Sequence, residues 1–273
     1  MAATEGRWLE VGERVFARRY AELDLTVGLV VGEGACLVVD TRGDEAQGAE
    51  FAAAVRDITD APLTVVLTHA HFDLVLGTAA FRPVTVWAHE RALLVPDADL
   101  GRGEFVRQYA AEGRTGLASA LASARVVGPD RTVGERATID IGGRTVHFVH
   151  FGPAHTDNDL VVSVPDAGVV FAGDLVEHDG TTGSFSAESF GPEADLVNWP
   201  AALTGILAID PNAVICGHGE PVDRDFVFSA RDQLGELVRL RTSVREGECG
   251  VAEAIGSSSL PEDVVRAVLT TTD

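Results

Sequence analysis

Short apolar runs, some alternating and some continuous, divide the chain into strands separated by helices. The first runs predict strands over 14–20, 25–31 and 35–40. A helix is predicted over 44–58, because apolar side chains recur there at helical spacing. The nearly all-apolar run 63–67 indicates a strand that is buried on both faces.

The remainder of the chain continues this alternation of strands and helices. Strands are predicted over 84–88, 137–141, 144–151, 160–164, 169–172 and 213–216. Helices are predicted over 104–124, 193–209 and 224–244, followed by a helical tail over 251–270 that a run of serines interrupts. Two mixed sheets packed face to face, with helices outside, suit this order. Because no low-complexity linker interrupts the chain, we expect a single domain over 1–273, with its helical tail from about 222.

Composition narrows the class of protein. The chain has 273 residues, 46% of them hydrophobic, and no stretch approaches the roughly 20 apolar residues of a membrane helix. The start of the sequence has neither a basic segment nor an apolar run, so we expect no signal peptide and a cytoplasmic location. Three widely spaced cysteines do not form the pattern of a disulfide framework.

The net charge of the chain limits the kinds of partner that it is expected to bind. A net charge of −21 argues against nucleic acid and against anionic membrane surfaces, so a small-molecule substrate is expected. All 21 basic residues are arginines, which excludes Schiff-base chemistry on lysine and a lysine clamp for a substrate carboxylate. The sequence leaves the oligomeric state open.

Residues of the types that bind metals follow four predicted strands. His69, His71 and Asp73 follow 63–67, His155 follows 144–151, Asp174 follows 169–172, and His218 follows 213–216. The carboxyl ends of strands in α/β sheets are a common place for ligands to converge. In an extended segment alternate side chains point the same way, so the spacing aims His69, His71 and Asp73 at one point. Imidazole and carboxylate together suit zinc, iron or manganese.

These motifs, in this order, resemble those of the metallo-β-lactamase superfamily of metallohydrolases. The matching segments are Thr68-His69-Ala70-His71-Phe72-Asp73, Gly152-Pro153-Ala154-His155-Thr156, Phe171-Ala172-Gly173-Asp174 and Cys216-Gly217-His218-Gly219. The resemblance covers roughly residues 14–222, most of the chain. It implies an α/β fold, a four-layered αββα sandwich of two mixed β-sheets flanked by helices, with a di-metal hydrolase site at one edge.

Carried over by position, the resemblance implies that His69, His71 and His155 hold a first metal. Asp73 and His218 would hold a second, with Asp174 bridging. The family motif continues with a histidine after the aspartate, and this chain has Leu74 there. Either Asp73, Asp174 and His218 suffice for the second ion, or that site is weak or empty. We expect a tight first site and a looser second one, filled by one or two Zn²⁺, with Fe or Mn as alternatives.

The expected function is a metal-dependent hydrolase that cleaves a small ester, thioester, lactone or amide by attack of metal-bound hydroxide. Asp73 is the candidate for orienting the hydroxide and carrying its proton. Asp40 and Thr68 are candidates for hydrogen-bonding the outer nitrogens of ligating histidines. His178 is either a substrate contact or a solvated loop residue.

Three other functions stay open at this point. β-Lactam hydrolysis fits poorly with the lack of lysine, and substrate assays would detect it. A mononuclear iron dioxygenase of the persulfide type would contain one iron and no zinc. A non-catalytic ligand-binding protein would bind its ligand equally well after His69→Ala and His155→Ala. Specificity is expected to depend on loops within 92–124 and 177–192.

Overall fold

Twelve strands form two mixed sheets in the computed structural model, which describes residues 5–94, 101–181 and 183–270. The first sheet has the order β1 (Arg7–Gly12), β2 (Val15–Arg19), β3 (Thr26–Val31), β4 (Cys36–Val39), β5 (Leu63–Val66), β6 (Thr85–His89) and β7 (Arg131–Val133). The second has the order β8 (Arg136–Ile141), β9 (Arg144–Val149), β10 (Val161–Val164), β11 (Val169–Gly173) and β12 (Ala213–Cys216).

Strand direction brings several carboxyl ends to one edge of the sandwich. β4, β5, β6 and β7 are parallel neighbours in the first sheet, and β11 and β12 are parallel in the second. Backbone hydrogen bonds join the sheets at this edge: Leu160 donates to the Thr68 carbonyl at 2.6 Å, and Thr26 donates to the Gly217 carbonyl at 2.8 Å. The segments that follow β5, β11 and β12 therefore start side by side.

Helices cover the outer face of each sheet. Those on the first sheet are α1 (Glu45–Arg56), α2 (Phe72–Val75), α3 (Arg102–Ala111) and α4 (Thr115–Ser123), and those on the second are α5 (Trp199–Ile209), α6 (Arg224–Arg245), α7 (Val251–Ser257) and α8 (Glu262–Thr270). Carboxylate caps begin two of them, since Asp44 accepts from Gln47 N and Asp223 from Phe226 N, each at 2.8 Å. None of the helices in these ranges is both long and apolar enough to span a membrane.

Alternation along the strands separates three layers of core. In β3, Val27 and Leu29 pack toward the helices of the first sheet, whereas Val30 packs between the sheets. In β11, Val170 packs toward the helices of the second sheet and Phe171 between the sheets. Two sheets with a core between them and helices on both outer faces confirm the expected four-layered αββα sandwich.

The structure departs from the sequence-based elements in a few places. The helix predicted over 104–124 is two helices, because Gly113 has a φ of +74° and ends the first of them. The helix predicted from 193 begins only at Trp199, since Asp195 accepts from Asn198 N and forms a turn before it. The pattern also missed β1 and β7; the three residues of β7 are too few to show alternation.

The close approach of the sheets at Gly28 gives a test of this packing. A Cβ on Gly28 would lie 2.2 Å from the ring of the buried Phe171 in the opposite sheet. We expect Gly28→Ala to lower the free energy of unfolding by about 1–3 kcal/mol through overpacking, as measured by denaturant titration. The control is Gly235→Ala in α6, where the nearest neighbour is the Arg239 guanidinium at 3.5 Å. This variant should keep or gain stability, and equal losses in both variants would contradict the packing.

Candidate metal centre

Three histidines and one aspartate meet at the sandwich edge. His69 Nε2 and His155 Nε2 each lie 3.1 Å from His71 Nδ1. Asp174 Oδ2 lies 3.3 Å from His69 Nε2 and 3.5 Å from His155 Nε2. Four donors bound to one zinc at about 2.0–2.1 Å would be separated by roughly 3.3 Å. The four atoms, called the first set below, thus lie close enough together to bind one metal ion.

The outer nitrogens of these rings are held by oxygen atoms. His71 Nε2 lies 2.8 Å from Glu193 Oε1, and His155 Nδ1 lies 3.3 Å from the Ser189 carbonyl. A carboxylate and a carbonyl can only accept, so each outer nitrogen carries the proton. The inner nitrogens, His71 Nδ1 and His155 Nε2, are left as bare lone pairs, which is the state a metal ligand needs.

Thr68 and Asp40 complete the same arrangement for His69. Thr68 Oγ1 donates to Asp40 Oδ2 at 2.9 Å and lies 3.3 Å from His69 Nδ1. Because its own proton is committed to Asp40, the hydroxyl accepts from His69. Thr68 N also donates to Asp40 Oδ1, at 2.8 Å. The end of β4 therefore orients the ring that follows β5.

A second set of donors lies beside the first. His218 Nε2 lies 3.1 Å from Asp73 Oδ2 and 3.5 Å from Asp174 Oδ2, so the Asp174 oxygen is shared between both sets. His218 Nδ1 donates to the Leu23 carbonyl at 2.7 Å, so in the neutral ring the inner nitrogen is the one without a proton. Leu23 adopts a left-handed backbone with a φ of +57°, and this turn aims its carbonyl at the histidine.

The alternate spacing of the motif explains only part of this geometry. His69 and His71 precede α2 and face the first set, but the chain becomes helical at Phe72, so Asp73 turns toward His218 instead. Leu74 is fully buried in the core beneath the first sheet's helices and does not line the cavity described below. The residue at the position of the absent histidine thus packs in the core.

The donor chemistry fits a divalent transition metal. Asp174 Oδ1 is buried without a hydrogen-bond partner, and a Cβ on Gly217 would lie 1.8 Å from it. The backbone therefore leaves room for this carboxylate only because Gly217 has no side chain. Neutral imidazoles with carboxylates are the ligands that zinc, iron and manganese take.

The surroundings shift the pKa values of His69 and His155 in opposite directions. Burial disfavours the charged form of His69, but the Asp174 carboxylate outweighs it and raises the pKa of His69 to about 9. Burial lowers the pKa of His155 to about 3, and the His69 and His71 rings act in the same direction against the pull of Asp174. An ion that binds here must displace the proton from His69.

A cavity of about 620 Å³ opens onto both sets. Its walls include Glu104 and Phe105 of α3 and the segment between β11 and α5, within the two stretches expected to carry specificity. Residues 95–100 of the first stretch lie outside the described ranges. His178 is not part of the lining; its ring packs edge-on against Phe226 at 5.3 Å, which gives no support to a substrate contact.

Sequence reasoning missed several residues that shape the site. Glu193 hydrogen-bonds His71, and the His71 contact holds the pKa of this carboxyl at about 2 against the effect of burial. Burial and the Asp174 charge raise the pKa of Glu177 to about 7, and Ser189 donates to it at 2.6 Å. Asn158 accepts from Ala70 N at 2.8 Å and ties the two histidine loops together. Asn158 lies three residues after His155 and Glu177 three residues after Asp174, whereas Glu193 is far from every motif in sequence.

Comparisons with known proteins agree with this fold and site. The sequence model of the metallo-beta-lactamase superfamily matches residues 23–220. A metallo-beta-lactamase type 2 from Bacillus cereus is 27% identical over 217 residues, which cover 76% of this chain and 72% of that protein.

Solved structures show the same architecture. A metallo-beta-lactamase from Pontibacter korlensis superposes with a TM-score of 0.62 at 20% identity, over 85% of this chain and 99% of that one. The sec-alkylsulfatase Pisa1 from Pseudomonas sp. superposes with a TM-score of 0.75 at 16% identity, over 97% of this chain and 50% of that one. At these identities the likeness establishes the fold.

Removing the Thr68 hydroxyl tests whether the outer hydrogen bonds prepare the ligands. Thr68→Val leaves His69 Nδ1 without its acceptor and Asp40 Oδ2 without its donor, while Thr68 N still donates to Asp40 Oδ1. We expect the affinity for Zn²⁺ to fall about 10–100-fold, as measured by competition with a chromophoric chelator. Thr68→Ser keeps the hydroxyl and is the matched control. Equal affinity in the valine and serine variants would show that the hydroxyl does not matter.

The raised pKa of His69 predicts a proton release. Because His69 is protonated at neutral pH and a ligand nitrogen must be bare, Zn²⁺ should release at least one proton per ion at pH 7. Affinity should rise about tenfold per pH unit toward pH 9, where His69 loses its proton unaided. Calorimetric titration in two buffers of different protonation enthalpy measures the release. Heats that are independent of the buffer would refute it.

Proposed function

The chain belongs to the metallo-β-lactamase superfamily and is a metal-dependent hydrolase; we propose that its substrates are small esters, thioesters, lactones or amides. The observation that supports this most is the first set, in which the inner nitrogens of three histidines and a shared carboxylate oxygen converge beside an open cavity. A cavity of about 620 Å³ has the size of a small-molecule site.

We assign the metal ligands to the two sets of donors. His69, His71 and His155 would hold the first ion, and Asp73 and His218 the second, with Asp174 between them. One or two Zn²⁺ ions are the proposed occupants, with weaker binding at the second set because Leu74 contributes no nitrogen. A divalent ion in this place supplies Lewis acidity and lowers the pKa of a bound water to about 7.

The chain's own residues would orient the attacking water and shield the substrate from bulk water. Asp73 lines the cavity, so one of its carboxylate oxygens can orient the attacking water and hold its proton. Asp40 and Thr68 would hold the Nδ1 proton of His69, so that the proton displaced by an ion is the one on the inner nitrogen. Phe72 and Phe190 line the cavity and exclude bulk water from the acyl bond.

β-Lactam hydrolysis is the second candidate, because the curated relative described above is named a metallo-β-lactamase. We rank it lower since the chain contains no lysine and the cavity lining within the described ranges contains no arginine. A β-lactam carries a carboxylate, which would find no arginine or lysine there to pair with.

Metal content and turnover test the proposal together. Zinc-loaded protein should contain between one and two ions and hydrolyse members of an ester, thioester, lactone and amide panel. Chelation should abolish turnover, and His155→Ala should reduce kcat/KM at least about a hundredfold, since even outer partners of ligands contribute 10–100-fold. His147→Ala is the control, because His147 lies in β9 and contacts Thr138 instead.

Three outcomes would replace this proposal. Protein purified without added metal that holds one iron and no zinc would indicate an oxygenase of the persulfide type. Rapid turnover of β-lactams alone would make β-lactam hydrolysis the leading candidate. Ligand binding that survives both His69→Ala and His155→Ala, with no turnover of any compound, would indicate a binding protein.

A further inference from the structure

The cavity above the candidate metal centre has an acidic and aromatic lining, from which we infer that the substrate carries a positively charged ammonium group apart from the bond that is cleaved. The inference rests on the proposed hydrolase function and adds a substrate class to it. It follows from the charge of the lining, from the aromatic rings beside it and from the orientation of the neighbouring arginines.

Carboxylates dominate the lining. Eight of the 21 residues that line the cavity are acidic, and no arginine or lysine occurs among them. Two of the eight, Asp73 and Asp174, belong to the donor sets. The others are Asp24, Glu104, Glu177, Asp179, Glu188 and Glu193. Residues 95–100 and Thr182, which the structure leaves undescribed, include no basic residue in their sequence.

The nearest arginines point elsewhere. Arg102 follows the lining residue Gly101, but its guanidinium donates to the Ala124 carbonyl at 2.8 Å. Arg19 is already paired with Asp24, an acidic residue of the lining. Glu104 and Glu188 form no ion pair with an arginine in the described ranges, so their charges stay available to a ligand.

Aromatic rings accompany the carboxylates. Phe72 and Phe105 both line the cavity, with their ring centroids 4.7 Å apart, and Phe190 lines it from the segment after β11. The face of an aromatic ring attracts a cation, and aromatic cages recognise quaternary ammonium groups. Because the scissile bond would lie beside the donor sets, the ammonium would occupy the outer part of the cavity, near the exposed Glu104 and Glu188.

Anionic substrates meet the opposite situation. β-Lactams carry a carboxylate and alkyl sulfates carry a sulfate. Both would face like charge in a cavity whose described lining has no arginine or lysine and whose three histidines belong to the donor sets. The cavity therefore distinguishes this chain from the activities that its relatives' names suggest, although the fold is shared.

Paired ligands that differ only in charge test the inference by binding. Choline and its uncharged isostere 3,3-dimethylbutan-1-ol are titrated into zinc-loaded protein. We expect choline to bind about tenfold more tightly and to lose this advantage at high salt. The double variant Glu104→Gln/Glu188→Gln should reduce the preference to about twofold or less. The control double variant Glu246→Gln/Glu253→Gln, at the end of α6 and on α7, lies outside the cavity lining, removes the same two charges and should keep the preference.

Equal binding of the two alcohols, or a preference that survives in the double variant, would overturn the inference. Turnover separates it from the proposed function. If the acetate of 3,3-dimethylbutan-1-ol is hydrolysed as fast as that of choline, the hydrolase stands and the charge preference fails. If choline binds preferentially but no acyl compound is hydrolysed, the charge preference stands and the hydrolase proposal fails.

Discussion

The hydrogen bonds on the outer side of the histidine rings are the interactions on which the rest of the site depends. Each imidazole could carry its proton on either nitrogen, and a ring with the proton inside could not bind a metal. The Leu23 and Ser189 carbonyls and the Glu193 carboxylate can only accept, and the Thr68 hydroxyl becomes an acceptor through Asp40. Four outer oxygen atoms thus determine where four inner lone pairs point.

These oxygens come from different parts of the fold, which explains why the sandwich has to be complete before the site exists. Asp40 ends a strand of the first sheet, whereas Ser189 and Glu193 lie in the segment between β11 and α5 of the second half. Leu23 belongs to the turn before β3. The two backbone hydrogen bonds between the sheets, from Leu160 and from Thr26, hold these parts at a constant separation. The positions of the metal-ligating side chains therefore depend on how the two sheets pack against each other.

The sequence predicted the fold and the ligand types because both depend on local signals. Apolar alternation identified ten of the strands, and the strand-end histidines and aspartates marked one edge. The direction of Asp73 was not accessible in this way, because the four-residue helix Phe72–Val75 is too short for a periodic signal. Glu193 was missed for another reason: it lies 122 residues from His71, and only the folded chain brings them together. The acidic cavity likewise combines residues that are distant in sequence.

Leu74 shows how a position without a donor atom can still serve the site. Its side chain is fully buried, and its carbonyl accepts from both Thr41 N at 2.7 Å and Thr41 Oγ1 at 2.8 Å. These contacts fasten α2 to the segment that follows β4, one residue after Asp40. Asp73, the preceding residue of α2, is thereby held opposite His218. A histidine at this position would exchange apolar packing for a polar ring in the core, at the cost of leaving that ring's nitrogens to be satisfied. The leucine stabilises the helix that carries Asp73. The second set thus consists of Asp73, Asp174 and His218, and position 74 supports it by packing instead of supplying a nitrogen.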